Sequence, residues 1–138
     1  MKKKATAIWQ GTGKEGSGNL TTTSKALNSI PYTWKDRFAD GVGTNPEELI
    51  AAAHAGCFSM KLSFVLGAAG FTPDNIETSC EIDLVDGSII TSHLTLKASV
   101  KGITKEKFEE CAEEAKNTCP VSKLLKPSIP VTIESTLV

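Results

Sequence analysis

TNPEELIAAAHAGCFSMKLSFVLGAAGF, residues 44–71, is the longest apolar run of the chain, and its reading decides the fold. It predicts one long helix. Asn45 suits the N-cap, Pro46 the first helical position, and Glu48 stands three residues after the cap as a capping box requires. Gly70 supplies the stop. At about 1.5 Å per residue the helix is about 36 Å long, close to the diameter of a compact chain of this size, so it must pass through the middle. Ile50, Ala53, Cys57, Met60 and Phe64 form one apolar stripe. Leu49, Ala52, Ala55, Gly56 and Leu66 leave little polar surface elsewhere, which predicts burial nearly all round. Lys61 at the centre, together with many Ala, Gly and Ser residues, argues against a membrane span.

The 138 residues carry 15 Lys+Arg against 16 Asp+Glu, a net charge of -1, and are 40% hydrophobic. This fits one soluble globular domain, 1–138, with no basic excess for a nucleic-acid backbone. The opening Met-Lys-Lys-Lys is followed by no apolar core or cleavage site of a signal peptide, so the cytoplasm is the expected location. Four cysteines at positions 57, 80, 111 and 119 match neither a zinc ribbon nor a static disulfide framework. Any disulfide here is expected to be functional.

Before the long helix, residues 4–10 alternate as a strand, meet a Gly-rich turn and return as a second strand over 20–24. Gly11, Gly13 and Gly16 match a dinucleotide fingerprint in form only, because Asn19-Leu20-Thr21-Thr22-Thr23 favours a strand where that motif needs a helix. A short extended piece lies around Tyr32 to Trp34, and residues 35–43 form a loop. After the helix, Ile76, Thr78, Cys80, Ile82 and Leu84 mark a half-buried strand. Asp86-Gly87 marks a hairpin turn, and Ile90, Leu94, Leu96, Ala98 and Val100 give the inner face of the antiparallel partner. A second helix starts at Thr104, with Phe108, Cys111, Ala112 and Ala115 on one side, and Pro120 ends it. Residues 121–126 can form one or two helical turns, and a last strand runs over 129–137. The order predicts an α+β domain with antiparallel sheets around the central helix. A second copy would complete the cover of that helix, so a homodimer is expected.

Cys80 and Cys111 sit on apolar faces and read as small core residues. Cys119 lies where one helix ends and Pro120 can begin another, a place whose free amides favour a thiolate, although a small buried cap fits there as well. Cys57, in the middle of its helix, gains nothing from that helix's dipole and needs a partner from elsewhere. His54 reads as a satisfied core histidine. His54 and Cys57 at i and i+3, with His93 or Cys119, also leave a His/Cys metal-binding protein as an alternative.

Asn45-Pro46-Glu47-Glu48-Leu49-Ile50, Ala52-Ala53-His54-Ala55-Gly56-Cys57-Phe58-Ser59-Met60 and Cys119-Pro120-Val121-Ser122 closely resemble the signature of the OsmC/Ohr family of thiol-dependent hydroperoxide reductases, nearer its osmotically inducible branch. The likeness runs along the whole chain, including Trp9, Pro31-Tyr32 and Arg37-Phe38. The resemblance implies an intertwined homodimer, Cys57 as the peroxidatic thiol, Cys119 as the resolving thiol that closes a disulfide, and Arg37 with Glu47 as the pair that activates Cys57. It implies organic hydroperoxides as substrates, hydrogen peroxide more weakly, a dithiol or lipoylated protein as reductant, a role in oxidative or osmotic stress defence, and no metal or organic cofactor. The residue types suit that chemistry, since a guanidinium nearby can lower a thiol pKa from about 8.5 by roughly 1 to 3 units. Phe58, Phe64, Leu49 and Met60 are the apolar neighbours expected to favour organic substrates. A non-enzymatic stress or ligand-binding protein on the same fold is the other alternative.

Overall fold

A computed structural model describes residues 1–38 and 43–138; part of the loop expected over 35–43 therefore lies outside the described residues. The chain divides into two compact units, residues 1–49 and 50–138.

In the first unit, β1 (Ala5–Gln10), β2 (Ser17–Thr22) and β3 (Ile30–Tyr32) form an antiparallel sheet in that order. The glycine run between β1 and β2 is a turn, with Gly11 at a φ of 90° and the Gly16 N–H bonded to the Thr12 carbonyl at 2.8 Å. The dinucleotide motif is thereby set aside. Gly18 has a different reason to be glycine. Its Cα lies against the Ile8 carbonyl and the rings of Trp9 and Tyr32, where a side chain would collide. Those two rings pack at 5.2 Å between centroids. A 3-10 turn, Lys35–Arg37, follows, with Asp36 accepting from the Thr33 N–H at 2.6 Å. No described residue of 1–49 is buried.

The long helix α1 spans Pro46–Ala68. Asn45 Oδ1 accepts from the Glu48 N–H at 2.8 Å, as expected of the cap. The Glu48 carboxylate takes its bond from the Thr44 hydroxyl, at 2.8 Å. At the other end Gly70 has a φ of 89°, its N–H reaches the Gly67 carbonyl, and the Phe71 N–H reaches that of Leu66, which is a complete Schellman motif. By length and composition α1 could cross a membrane, yet His54, Phe58, Leu62, Val65 and Leu66 are buried in the chain's own core.

Those five residues correct the expected packing. The stripe through Ala53, Met60 and Phe64 is the exposed one, with Met60 at 65% and Phe64 at 71% exposure, so one chain covers one side of α1 and not its whole circumference. The buried face packs with a second sheet built from β4 (Pro73–Val85), β5 (Ser88–Val100) and β6 (Val131–Leu137). β4 and β5 are antiparallel and joined at Asp86-Gly87, both at positive φ, as a two-residue hairpin turn demands. β6 departs from the expected antiparallel arrangement. It runs parallel to β5, pairing Ser92 with Val131 through to Ala98 with Leu137. The reason is the crossover between them through α2 (Lys105–Thr118) and α3 (Pro120–Leu125), which carries the chain back to the end of the sheet where β5 began. Leu94, Leu96, Ala98 and Val100 of β5 meet Phe108, Cys111, Ala112 and Ala115 of α2 in the core. Ile90, placed with them by its spacing, is 41% exposed, and Ser92 takes a buried position instead.

Candidate functional site

α2 and α3 share a single residue. The Cys119 N–H closes the last turn of α2 on the Ala115 carbonyl, while its own carbonyl accepts from the Lys123 N–H and opens α3. Pro120 makes this break obligatory, since it lacks an N–H to continue α2 but fits the first position of α3. The Cys119 side chain caps neither helix. It is fully buried and lies close enough to Cys57 to act on its thiol.

Cys57 is half-buried on α1 and carries a free thiol, as does Cys119. Burial pushes the Cys57 thiol up, and the Cys119 thiol beside it pushes the same way. The Val121 N–H, donated to Cys57, pulls it down. One free amide at the start of α3, where amides were expected to act on Cys119, is thus aimed at Cys57, but burial still outweighs it.

One turn earlier on α1, His54 is fully buried. Its Nδ1 lies 2.7 Å from Ser92 Oγ on β5, and its Nε2 lies 2.8 Å from Ser122 Oγ on α3. Burial lowers its pKa and keeps the ring neutral. One ring nitrogen then donates and the other accepts, and two hydroxyls satisfy either tautomer. The metal-binding alternative needed this imidazole, and both of its nitrogens are taken by serines. Among the described residues no three His, Cys, Asp or Glu side chains gather at metal-ligating spacing. Cys80 is half-buried on β4, 3.3 Å from Ser92 Oγ and 3.7 Å from His54 Nδ1, and Cys111 is buried on α2. Both are core residues as expected, but Cys80 has a polar partner that its alternating strand did not announce.

Arg37 and Glu47 meet within residues 1–49. Arg37 Nε lies 3.3 Å from Glu47 Oε2, with Glu47 largely covered. The two are close enough to pair as charges, but the N–H is poorly aimed, and Oε2 accepts no well-directed hydrogen bond. Arg37 also lines a cavity of about 180 Å³ with Trp9, Tyr32, Trp34 and Pro46. The expected apolar neighbours of the site fare differently: Phe58 is sealed in the core and unavailable to a substrate, while Met60 and Phe64 are exposed. The four predicted site residues therefore form two pairs, Cys57 with Cys119 and Arg37 with Glu47, one in each unit.

The family model of the OsmC-like proteins matches residues 39–134. The chain belongs to the OsmC-like family. This OsmC-like chain is 47% identical over 131 residues to Peroxiredoxin OsmC of Escherichia coli, covering 92% of each chain. It is 34% identical over 126 residues to the organic hydroperoxide resistance protein OhrB of Bacillus subtilis, covering 86% of this chain and 88% of that one. The crystal structure of that OhrB superposes with a TM-score of 0.72 at 26% identity, over 96% of this OsmC-like chain and 98% of its own. This chain and that OhrB thus share one α+β architecture.

Proposed function

We propose that the chain is a thiol-dependent peroxidase that reduces organic hydroperoxides, with Cys57 as the peroxidatic thiol, Cys119 as the resolving thiol, and Arg37 with Glu47 as the activating pair. The observation that carries this reading is the contact of two free thiols, Cys57 and Cys119, with the Val121 N–H directed at Cys57. The names of the relatives, a peroxiredoxin and an organic hydroperoxide resistance protein, agree with it. The Cys57 thiolate attacks the distal oxygen of ROOH. The O–O bond breaks, the alkoxide takes a proton and leaves as ROH, and Cys57 becomes a sulfenic acid. The Cys119 sulfur then attacks the Cys57 sulfur, water leaves, and a disulfide forms. An external dithiol, free or on a lipoylated protein, reduces that disulfide and restores both thiols. The balance needs neither a metal nor an organic cofactor.

Burial opposes the thiolate, so the site needs a positive charge, and the guanidinium of Arg37 is suited to supply it. The cavity beside Arg37 has aromatic walls that suit an alkyl or aryl tail, each buried methylene adding about 0.8 kcal/mol. We further propose that residues 1–138 act as one domain within a cytoplasmic homodimer. A sheet with no buried residue in 1–49 and the exposed Met60 and Phe64 on α1 support a second copy as the missing cover.

The raised pKa of Cys57 within one chain favours a second reading, a non-enzymatic stress or ligand-binding protein whose thiols react once and slowly. Mass analysis after one equivalent of cumene hydroperoxide, followed by turnover with a dithiol, separates the two. The peroxidase gives a Cys57–Cys119 disulfide, leaves Cys80 and Cys111 free, and turns over many times. A Cys111–Cys119 disulfide would refute the assignment, and thiol loss without turnover would favour the second reading.

A further inference from the structure

Nothing in the peroxidase chemistry uses His54, yet it is the only fully buried ionisable side chain among the described residues that is bonded at both ends to other elements of the core. A buried imidazole is costly unless both nitrogens are satisfied, and here the satisfaction is specific in space. One hydroxyl comes from the middle of the sheet and the other from α3. Ser122 follows Val121, whose N–H contacts Cys57, and lies one helical turn beyond Cys119. His54 and Cys57 share a face of α1 at i and i+3. α1 therefore grips α3 at two successive points, through Cys57 to the Val121 N–H and through His54 to the Ser122 hydroxyl, with Ser92 fixing the ring from behind.

Resting on the assignment of Cys57 and Cys119 above, we propose that His54 is a positioning residue: by bonding Ser122 at Nε2 and Ser92 at Nδ1 it fixes α3 against α1, and so holds the Cys119 thiol and the Val121 N–H at the Cys57 sulfur. It touches neither peroxide nor the reacting sulfurs. Its effect is to keep disulfide closure a short local step, ahead of further oxidation of the Cys57 sulfenic acid to sulfinic acid by a second peroxide.

The test compares the parent with Ser122→Ala, His54→Gln and Cys111→Ala, the last losing a buried sulfur from the same core away from the imidazole. Two readouts are taken: the rate of Cys57–Cys119 disulfide closure after one equivalent of cumene hydroperoxide, and the pH profile of Cys57 alkylation by iodoacetamide. The expected result is closure at least tenfold slower in Ser122→Ala and His54→Gln, with sulfinic acid accumulating at Cys57 under excess peroxide and the alkylation profile displaced to higher pH. Cys111→Ala, although less stable, should close and alkylate as the parent does. Parental closure and alkylation in Ser122→Ala, or equal slowing in all three variants, would overturn the inference. If the parent itself forms no Cys57–Cys119 disulfide, the underlying assignment fails instead, and the alkylation profiles still decide whether His54 and Ser122 hold the Val121 N–H on Cys57.

Discussion

Arg37 Nε, an atom that lysine lacks, lies 3.3 Å from Glu47 Oε2, so Arg37→Lys keeps the charge and loses the planar fork. If the guanidinium orients peroxide and favours the Cys57 thiolate, peroxide attack should slow at least tenfold, about 1.4 kcal/mol of barrier. Melting should change little, because a partly exposed pair contributes little to stability. Stopped-flow measurement of thiol oxidation checks this, and a rise in pH should restore part of the rate if the thiolate population is the defect. A variant as fast as the parent at neutral pH would remove Arg37 from the site. His54 makes a second prediction at this scale. Burial lowers its pKa below the ordinary 6.5, so between those values the unfolded chain binds a proton that the folded chain refuses. Stability is thus fully present above about pH 6.5 and is lost as pH falls through the window below it, at up to about 1.4 kcal/mol per pH unit. Denaturant titrations of the parent and His54→Gln at pH 7.5 and 5.5 should show a smaller acid loss in the variant.

At the scale of the element, Asn45 has two tasks. Its Oδ1 caps α1, and its Nδ2 donates to the Asp36 carbonyl at 3.1 Å, in the turn that carries Arg37. Asn45→Ala removes both and should cost about 1 kcal/mol in chemical denaturation. Asn45→Asp keeps the capping acceptor but has no N–H for Asp36, so it should unfold nearly as the parent does while reducing peroxide at a lower rate. Equal activity in Asn45→Asp and the parent would detach the turn from function. Both ends of α1 were legible in the sequence, because capping depends on one or two residues of the right type. Its inward face was not: a helix apolar on every side has no period that singles out His54, Phe58 and Leu62 over Ala53, Met60 and Phe64. Ser92 was hidden for a related reason, since a serine inside a hydrophobic strand looks like a defect until its partner from another element is known. The direction of β6 could not be read either, as strand alternation is the same in parallel and antiparallel pairs.

For the molecule as a whole, the exposed face of α1 makes a concentration-dependent prediction. Sedimentation velocity at micromolar concentration should give twice the chain mass, and Phe64→Lys should shift the protein toward monomer with a lower Tm. A parent that sediments as a monomer there would undo the homodimer. The parallel return of β6 also sets an order in time. β4 and β5 pair through a two-residue turn, so their contacts are local and can zip within microseconds to milliseconds of emerging. β6 has no neighbour until α2 and α3 have crossed over, and with them arrives Cys119. During synthesis Cys57 therefore leaves the ribosome well before Cys119, its proposed resolving partner, and the two thiols can meet only once the crossover has begun to form.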